Sequence, residues 1–155
     1  MAGARVQSGS GMYRFLEATV ERYMTTAVTT VTSRLTMCEL EALFDEHDFN
    51  AFPVVDDGKM LGIVTKLDFL RAFVFTRGRM VPHYDELMRR PVVDVMTEAV
   101  VHVEPVTPLT RVLQLMVDLK VRSFPVLGAG GRLVGMISRE DVMRALREAT
   151  TEARR

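Results

Sequence analysis

Thr65 and Asp68, and again Ser138 and Asp141, place a hydroxyl and a carboxylate three residues apart. Each pair follows an apolar run, residues 60–64 and 133–137, and opens a segment with helical spacing. At such a helix start the free amides and the positive end of the dipole attract phosphate or another anion. The hydroxyl bonds a phosphate oxygen, and a carboxylate one turn on is suited to accept both hydroxyls of a ribose, as acids do in other nucleotide folds. The same spacing is a capping box, which stabilises a helix by about 1 kcal/mol with no ligand at all. A nucleoside-phosphate site and a pair of helix caps therefore both fit these four residues.

That the pair occurs twice is no accident of composition. Phe52-Pro53-Val54-Val55, a turn at Asp57-Gly58 and the run 60–64 return as Phe124-Pro125-Val126-Leu127, a glycine turn at residues 128–131 and the run 133–137. Upstream, Val20, Met24, Thr25, Ala27, Val28 and Val31 recur as Val92, Met96, Thr97, Ala99, Val100 and Val103, at a constant step of 72 residues. Downstream, Gly62, Asp68, Arg71 and Ala72 recur as Gly135, Asp141, Arg144 and Ala145, at a step of 73. One residue has entered the second turn, where a loop tip tolerates it. Two copies of one supersecondary unit that share a core follow from this repeat.

The elements that must position the pairs read in the same order in each copy. Residues 28–32 alternate and are β-branched, which predicts a short strand, and 100–103 predict its counterpart. Thr36-Met37-Cys38-Glu39 is a capping box opening a helix to about residue 47, with Met37, Leu40, Leu43, Phe44 and His47 on one face. Residues 52–55 and 60–64 predict a hairpin about Asp57-Gly58. A helix from Thr65 is expected to turn Leu67, Leu70, Phe73 and Val74 towards the core. In the second copy a helix opens at Thr107-Pro108, with proline at the first helical position, and packs Leu109, Val112, Leu113, Met116 and Leu119. The hairpin 124–127 and 133–137 leads into a helix from Ser138 to about Ala149.

Boundaries follow: a flexible leader 1–11, a first repeat 12–76 with an amphipathic N-terminal helix, a connector 77–91, a second repeat 92–149 and a charged tail 150–155. The N-terminal helix, residues 12–23, carries Phe15, Leu16, Thr19, Val20 and Tyr23 at helical spacing. In the connector, residues 82–90 allow a turn or two of helix. Met80, Tyr84, Leu87 and Met88 there serve either packing or a partner surface.

Composition narrows the function classes. With 155 residues and 48% hydrophobic content the chain can bury a core, and no apolar run reaches the roughly 18 residues of a membrane span. Twenty basic residues balance twenty acidic ones without a block of one sign, which disfavours nucleic acid. A basic face would have to be assembled from Arg77, Arg79, Arg89 and Arg90. The single cysteine, Cys38, agrees with a reducing cytoplasm and reads as a small buried or half-buried helix residue rather than a redox thiol. His47, His83 and His102 lack metal-ligand spacing, and the eleven methionines read as core filler. Without a nucleophile elbow, Cys-His pairing or P-loop, nothing proposes catalysis.

The doubled pattern of Met-Thr, strand, helix, Phe-Pro-Val, turn, then Gly-h-h-Thr/Ser-x-x-Asp and helix, with h apolar, resembles a tandem cystathionine β-synthase (CBS) domain pair, or Bateman module, over about residues 20–147. The resemblance implies an α/β fold of the α+β kind, two βαββα repeats about a pseudo-two-fold axis, with clefts between them that bind AMP, ADP, ATP or S-adenosylmethionine, and a leaning to homodimers. By position it makes Asp68 and Asp141 the ribose-binding acids and Thr65 and Ser138 the hydroxyls beside phosphate, with Lys66 and Arg139 adding charge. Arg122 takes the place of the family's basic residue before Phe-Pro, where the first copy has Asn50. The phosphates are thus expected near Arg122, and the two sites should differ. The reading is a non-enzymatic sensor signalling in trans to an effector protein. The alternative is a ligand-free dimerisation or interaction platform.

Overall fold

A computed structural model describes residues 9–74, 84–152 and 154. The chain divides into two compact units, each with its own core, and mixes helices with small antiparallel sheets in an α+β fold. The first unit comprises Met1–Val28, Val101–Ala129 and Val134–Arg155; the second comprises Thr29–Val100 and Gly130–Leu133.

In the second unit the capping box at Thr36 forms as the sequence predicts. Its hydroxyl accepts from the Glu39 amide at 3.2 Å, and the Glu39 carboxylate accepts from the Thr36 amide at 2.9 Å. The helix it opens, α2 (Met37–Glu46), buries Met37 and Leu40 and leaves Cys38 exposed. The expected burial of Cys38 is therefore corrected. With Met37 and Leu40 inward, the residue one step after Met37 points about 100° away.

Strands β1 (Ala51–Asp56) and β2 (Lys59–Thr65) form the predicted hairpin, with a register irregularity between Val54 and Val55. Both turn residues, Asp57 at φ 50° and Gly58 at φ 80°, take the left-handed conformations that a tight hairpin requires. The strand predicted at residues 28–32 contracts to a single parallel bridge, Val31 to Val54, because the segment meets the β1 edge at that point only. The other edge of the hairpin receives Thr97, bridged to Ile63.

Helix α3 (Lys66–Arg71) corrects the expected inward face. Leu67, Leu70 and Val74 are exposed, while Phe69, Ala72 and Phe73 pack on the core. The cause is the cap: it draws Asp68 inside, 5% exposed, and that rotates Leu67 and Leu70 outward. Helix α4 (Tyr84–Arg89) supplies the short connector helix and buries Met88 in the core cluster that also holds Val92 and Met37, with Tyr84 exposed. Met80, Arg77, Arg79 and His83 lie outside the described residues.

Ser33, 8% exposed, donates to Asp56 through its amide (3.0 Å) and its hydroxyl (2.5 Å). These bonds hold the Asp56 carboxyl below the ordinary carboxylate value, the hydroxyl contributing most. A depressed carboxylate stabilises the fold above its unfolded pKa, and that contribution disappears as pH falls through the lower folded value. Ser33→Ala is expected to cost less stability at pH 2 than at pH 6. Urea unfolding at the two pH values measures this, and an equal loss at both would refute it.

The first unit repeats the design. Helix α1 (Gly9–Glu17) ends earlier than the sequence predicts and gives way to a 3-10 turn, Val20–Arg22. It buries Phe15 and leaves Leu16 half exposed, and Gly9 already lies inside it, so the expected leader runs partly into helix. Helix α5 (Leu109–Leu119) starts one residue late, with Pro108 as its N-cap. Its buried face is Leu109, Val112 and Met116, and Leu119 is exposed at the C-terminal turn, where Lys120 takes φ 54°. Strands β3 (Ser123–Leu127) and β4 (Leu133–Ser138) pair, and α6 (Arg139–Glu152) runs beyond the expected end at Ala149. The strand predicted at residues 100–103 is again one parallel bridge, Val103 to Val126. On the outer side of β4, Thr25 bridges Met136.

Each hairpin is thus flanked on one edge by its own repeat and on the other by the Met-Thr segment that precedes the opposite repeat in sequence. Among the described residues no helix is long and apolar enough to cross a membrane.

Candidate functional site

Both hydroxyl-carboxylate pairs form complete caps. The Thr65 hydroxyl accepts from the Asp68 amide at 3.0 Å, while Asp68 Oδ2 accepts from the Thr65 amide (2.9 Å) and hydroxyl (3.0 Å). At the start of α6, Asp141 Oδ2 accepts from the Ser138 amide and hydroxyl, both at 2.9 Å, and the Ser138 hydroxyl accepts from the Asp141 amide at 3.3 Å. Each aspartate is 5% exposed. A carboxylate has about four lone-pair positions, so a cap made through Oδ2 leaves Oδ1 for other work.

The surroundings of Oδ1 differ between the copies. Asp68 Oδ1 accepts a long bond, 3.3 Å, from the Thr97 hydroxyl and lies 3.6 Å from the Arg71 guanidinium. Asp68, Arg71 and Thr97 line a cavity of about 470 Å³ together with Ala72, Val74, Arg90, Asp94, Val95 and Met96. Asp141 Oδ1 lies 3.3 Å from Arg144, which also donates to the Tyr23 carbonyl at 2.9 Å. The Arg144 guanidinium sits 5.7 Å from the centroid of the Tyr23 ring, and the Tyr23 hydroxyl donates to Glu148 at 2.8 Å. That bond, with some burial and the adjacent negative charge, raises the Tyr23 phenol above its ordinary pKa.

The remaining sequence candidates gather at the two helix starts. The Asn50 carbonyl accepts the Lys66 amide at 2.9 Å, and the Arg122 carbonyl accepts the Arg139 amide at 3.0 Å, so Asn50 and Arg122 are equivalent by hydrogen bonding as well as by sequence. Arg122 and Arg139 are exposed, and Arg139 Nε donates to the Val121 carbonyl. Lys66 instead lies over the Phe44 ring, 5.8 Å from its centroid. Lys66 and Asn50 do not line the cavity at Asp68, whose basic residues are Arg71 and Arg90.

Sequence reasoning had not assigned Arg71, Thr97, Arg144 or Tyr23 to the site. Three of these had a signal, because Arg71 and Arg144 repeat at the same step as the aspartates and Thr97 repeats as Thr25. Tyr23 had none, since its counterpart is Val95.

Comparison with known proteins bears on the family and the fold. The family model described as CBS domain matches residues 20–74 and 86–148. The CBS domain-containing protein CBSX1, chloroplastic, of Arabidopsis thaliana is 30% identical over 166 residues, covering 93% of this chain and 70% of its own. The crystal structure of CBSX2 in complex with AMP aligns with a TM-score of 0.68 at 26% identity, over 88% of this chain and 98% of that one. The crystal structure of CbpB in complex with c-di-AMP aligns with a TM-score of 0.80 over 94% of this chain and 95% of that one; at 18% identity it speaks for the fold.

Proposed function

The chain belongs to the CBS-domain family and carries two tandem copies of the domain, a Bateman module, and from this we propose that it is a non-catalytic regulatory module that binds an adenosine-containing ligand at the starts of α3 and α6. The observation that carries the reading is the doubled aspartate. A buried carboxylate with one oxygen held by its cap presents the other, at a fixed position, to a diol. Asp68 and Asp141 would each accept ribose hydroxyls through Oδ1, with Arg71 or Arg144 turning aside.

Phosphate would meet Ser138, Arg139 and Arg122 at α6, where amides, helix dipole and guanidinium groups add together, and the basic groups Arg71 and Arg90 of the cavity at Asp68. Arg122, which stands where the first copy has Asn50, favours phosphorylated ligands at α6. The AMP complex of CBSX2 supports an adenine nucleotide as the ligand class, with AMP, ADP, ATP and S-adenosylmethionine as the compounds to offer.

Output would act in trans, from a cytoplasmic homodimer to an effector protein, with ligand favouring one arrangement over another by its differential affinity. One observation favours the ligand-free platform instead: both aspartates already satisfy helix caps. A thermal unfolding scan with AMP, ADP, ATP and S-adenosylmethionine offered separately decides between them. A ligand at 100 times its dissociation constant stabilises the native state by about 2.7 kcal/mol, which raises Tm by roughly 5 to 10 °C at this size. Such a rise with one compound is the expected result. No rise with any of the four would leave the platform.

A further inference from the structure

The two sites carry the same cap but not the same neighbour at Oδ1. In the first unit, Tyr23 closes the 3-10 turn Val20–Arg22 and offers its carbonyl to Arg144. Its ring lies against the same guanidinium, and its hydroxyl is tied to Glu148 one turn further along α6. Arg144, close to Asp141 Oδ1, is thereby held by two features of one residue, the carbonyl and the ring, and the hydroxyl bond to Glu148 fixes the ring in place. In the second unit the 3-10 turn Val92–Asp94 is closed by Val95, which has neither ring nor hydroxyl. There Arg71 stands further off, at 3.6 Å, and Asp68, Arg71 and Val95 line an open cavity.

We propose that Tyr23 is a latch that makes the two sites unequal: it holds Arg144 over the ribose-binding oxygen of Asp141, so a nucleoside ligand enters the Asp68 site directly and the Asp141 site only after the latch opens. This rests on the adenosine-site reading above. It deepens that reading by naming the residue that sets the order of occupancy. The basic groups Arg122 and Arg139 give the α6 site an intrinsic attraction for phosphate. The latch lowers the population able to accept ligand and so weakens the apparent affinity by that fraction. Occupancy of the α6 site would also release Tyr23 from Arg144 at the junction where α1 meets α6, which gives the N-terminal helix a way to report the bound state. Arg14 of α1 pairs with Glu152 of α6 at that junction.

The test isolates each site and then removes the ring and hydroxyl of Tyr23, while the backbone carbonyl that Arg144 meets stays in every variant. AMP binding is measured by calorimetry in Asp68→Asn, where the Asp141 site alone remains, and in Asp141→Asn, where the Asp68 site alone remains, each with and without Tyr23→Val. Tyr23→Val is expected to tighten AMP about tenfold in the Asp68→Asn background and less than twofold in the Asp141→Asn background. Tyr23→Phe keeps the ring over Arg144 and removes only the Glu148 bond. It should give a smaller tightening at the same site, and it carries the test if the valine variant does not fold. Equal changes in the two backgrounds, or no tightening at the Asp141 site, would overturn the latch while leaving the ligand reading intact. Absence of AMP binding in every protein, wild type included, would overturn both.

Discussion

Gly62→Ala is expected to lower stability by about 3 kcal/mol, a fall in Tm of roughly 6 to 12 °C for a chain of this length. A Cβ at Gly62 would stand 2.4 Å from the Thr97 carbonyl oxygen and 3.2 Å from its carbon. Both are backbone atoms and cannot swing aside. The Ile63 amide donates to that same carbonyl at 2.9 Å, and the Thr97 amide donates back to Ile63 at 2.8 Å, so relief of the clash opens the bridge that fixes Thr97 on the edge of β2. The Thr97 hydroxyl then leaves Asp68, and the ligand site loses one wall. Gly130→Ala is the control. It adds a Cβ with nothing within 4 Å, and only the φ of 69° resists it, at a cost of about 1 kcal/mol. Differential scanning calorimetry of the two variants separates backbone collision from conformational preference. Equal losses would remove the collision from the account. The equivalent Gly135, whose Cβ would meet the Thr25 carbonyl at 2.8 Å, places the same demand on the first unit.

The second large effect concerns binding. The Asp68→Asn, Asp141→Asn double variant is expected to weaken the adenosine ligand by about 100-fold, because each replacement exchanges charge-assisted hydrogen bonds to ribose for neutral ones, a difference of about 2 to 3 kcal/mol. Asparagine keeps an acceptor for the Thr65 or Ser138 amide, so the caps weaken without disappearing. The ligand-free melting temperature should therefore fall far less than the ligand-induced rise. This comparison separates the two chemistries that the Thr/Ser-x-x-Asp spacing permits. A double variant that loses its ligand-free stability but keeps the full ligand-induced rise would assign the aspartates to capping alone.

The caps themselves show why a motif of this kind is ambiguous in sequence and less so in space. Capping consumes Oδ2 and leaves Oδ1, and one carboxylate can serve both purposes. The spacing 65 to 68 specifies the cap because the contacts are local. It says nothing about what stands opposite Oδ1, since Thr97 is 29 residues away and Tyr23 lies on a different segment from Asp141.

The chain's order carries a good deal of the molecule. The 72- and 73-residue steps disclose two copies, the Asp57-Gly58 turn predicts a hairpin, and the boxes at Thr36 and Thr65 predict helix starts that the fold contains. All of these are local: propensity, turn conformation and hydrogen bonds within a few residues decide them. Other features depend on which edges and faces meet, and no local period encodes that. Asp68 turns inward with its cap and Phe69, Ala72 and Phe73 take the core face, so Leu67 and Leu70 are exposed against their helical pattern. Residues 28–32 look like a strand, yet only Val31 reaches a partner. The Met-Thr segments look like leaders to the repeats they precede, yet Thr25 pairs with Met136 and Thr97 with Ile63, each on the hairpin of the other copy. Sequence thus determined the parts and their duplication, whereas long-range edge pairing determined the neighbours of each aspartate, and those neighbours distinguish one site from the other.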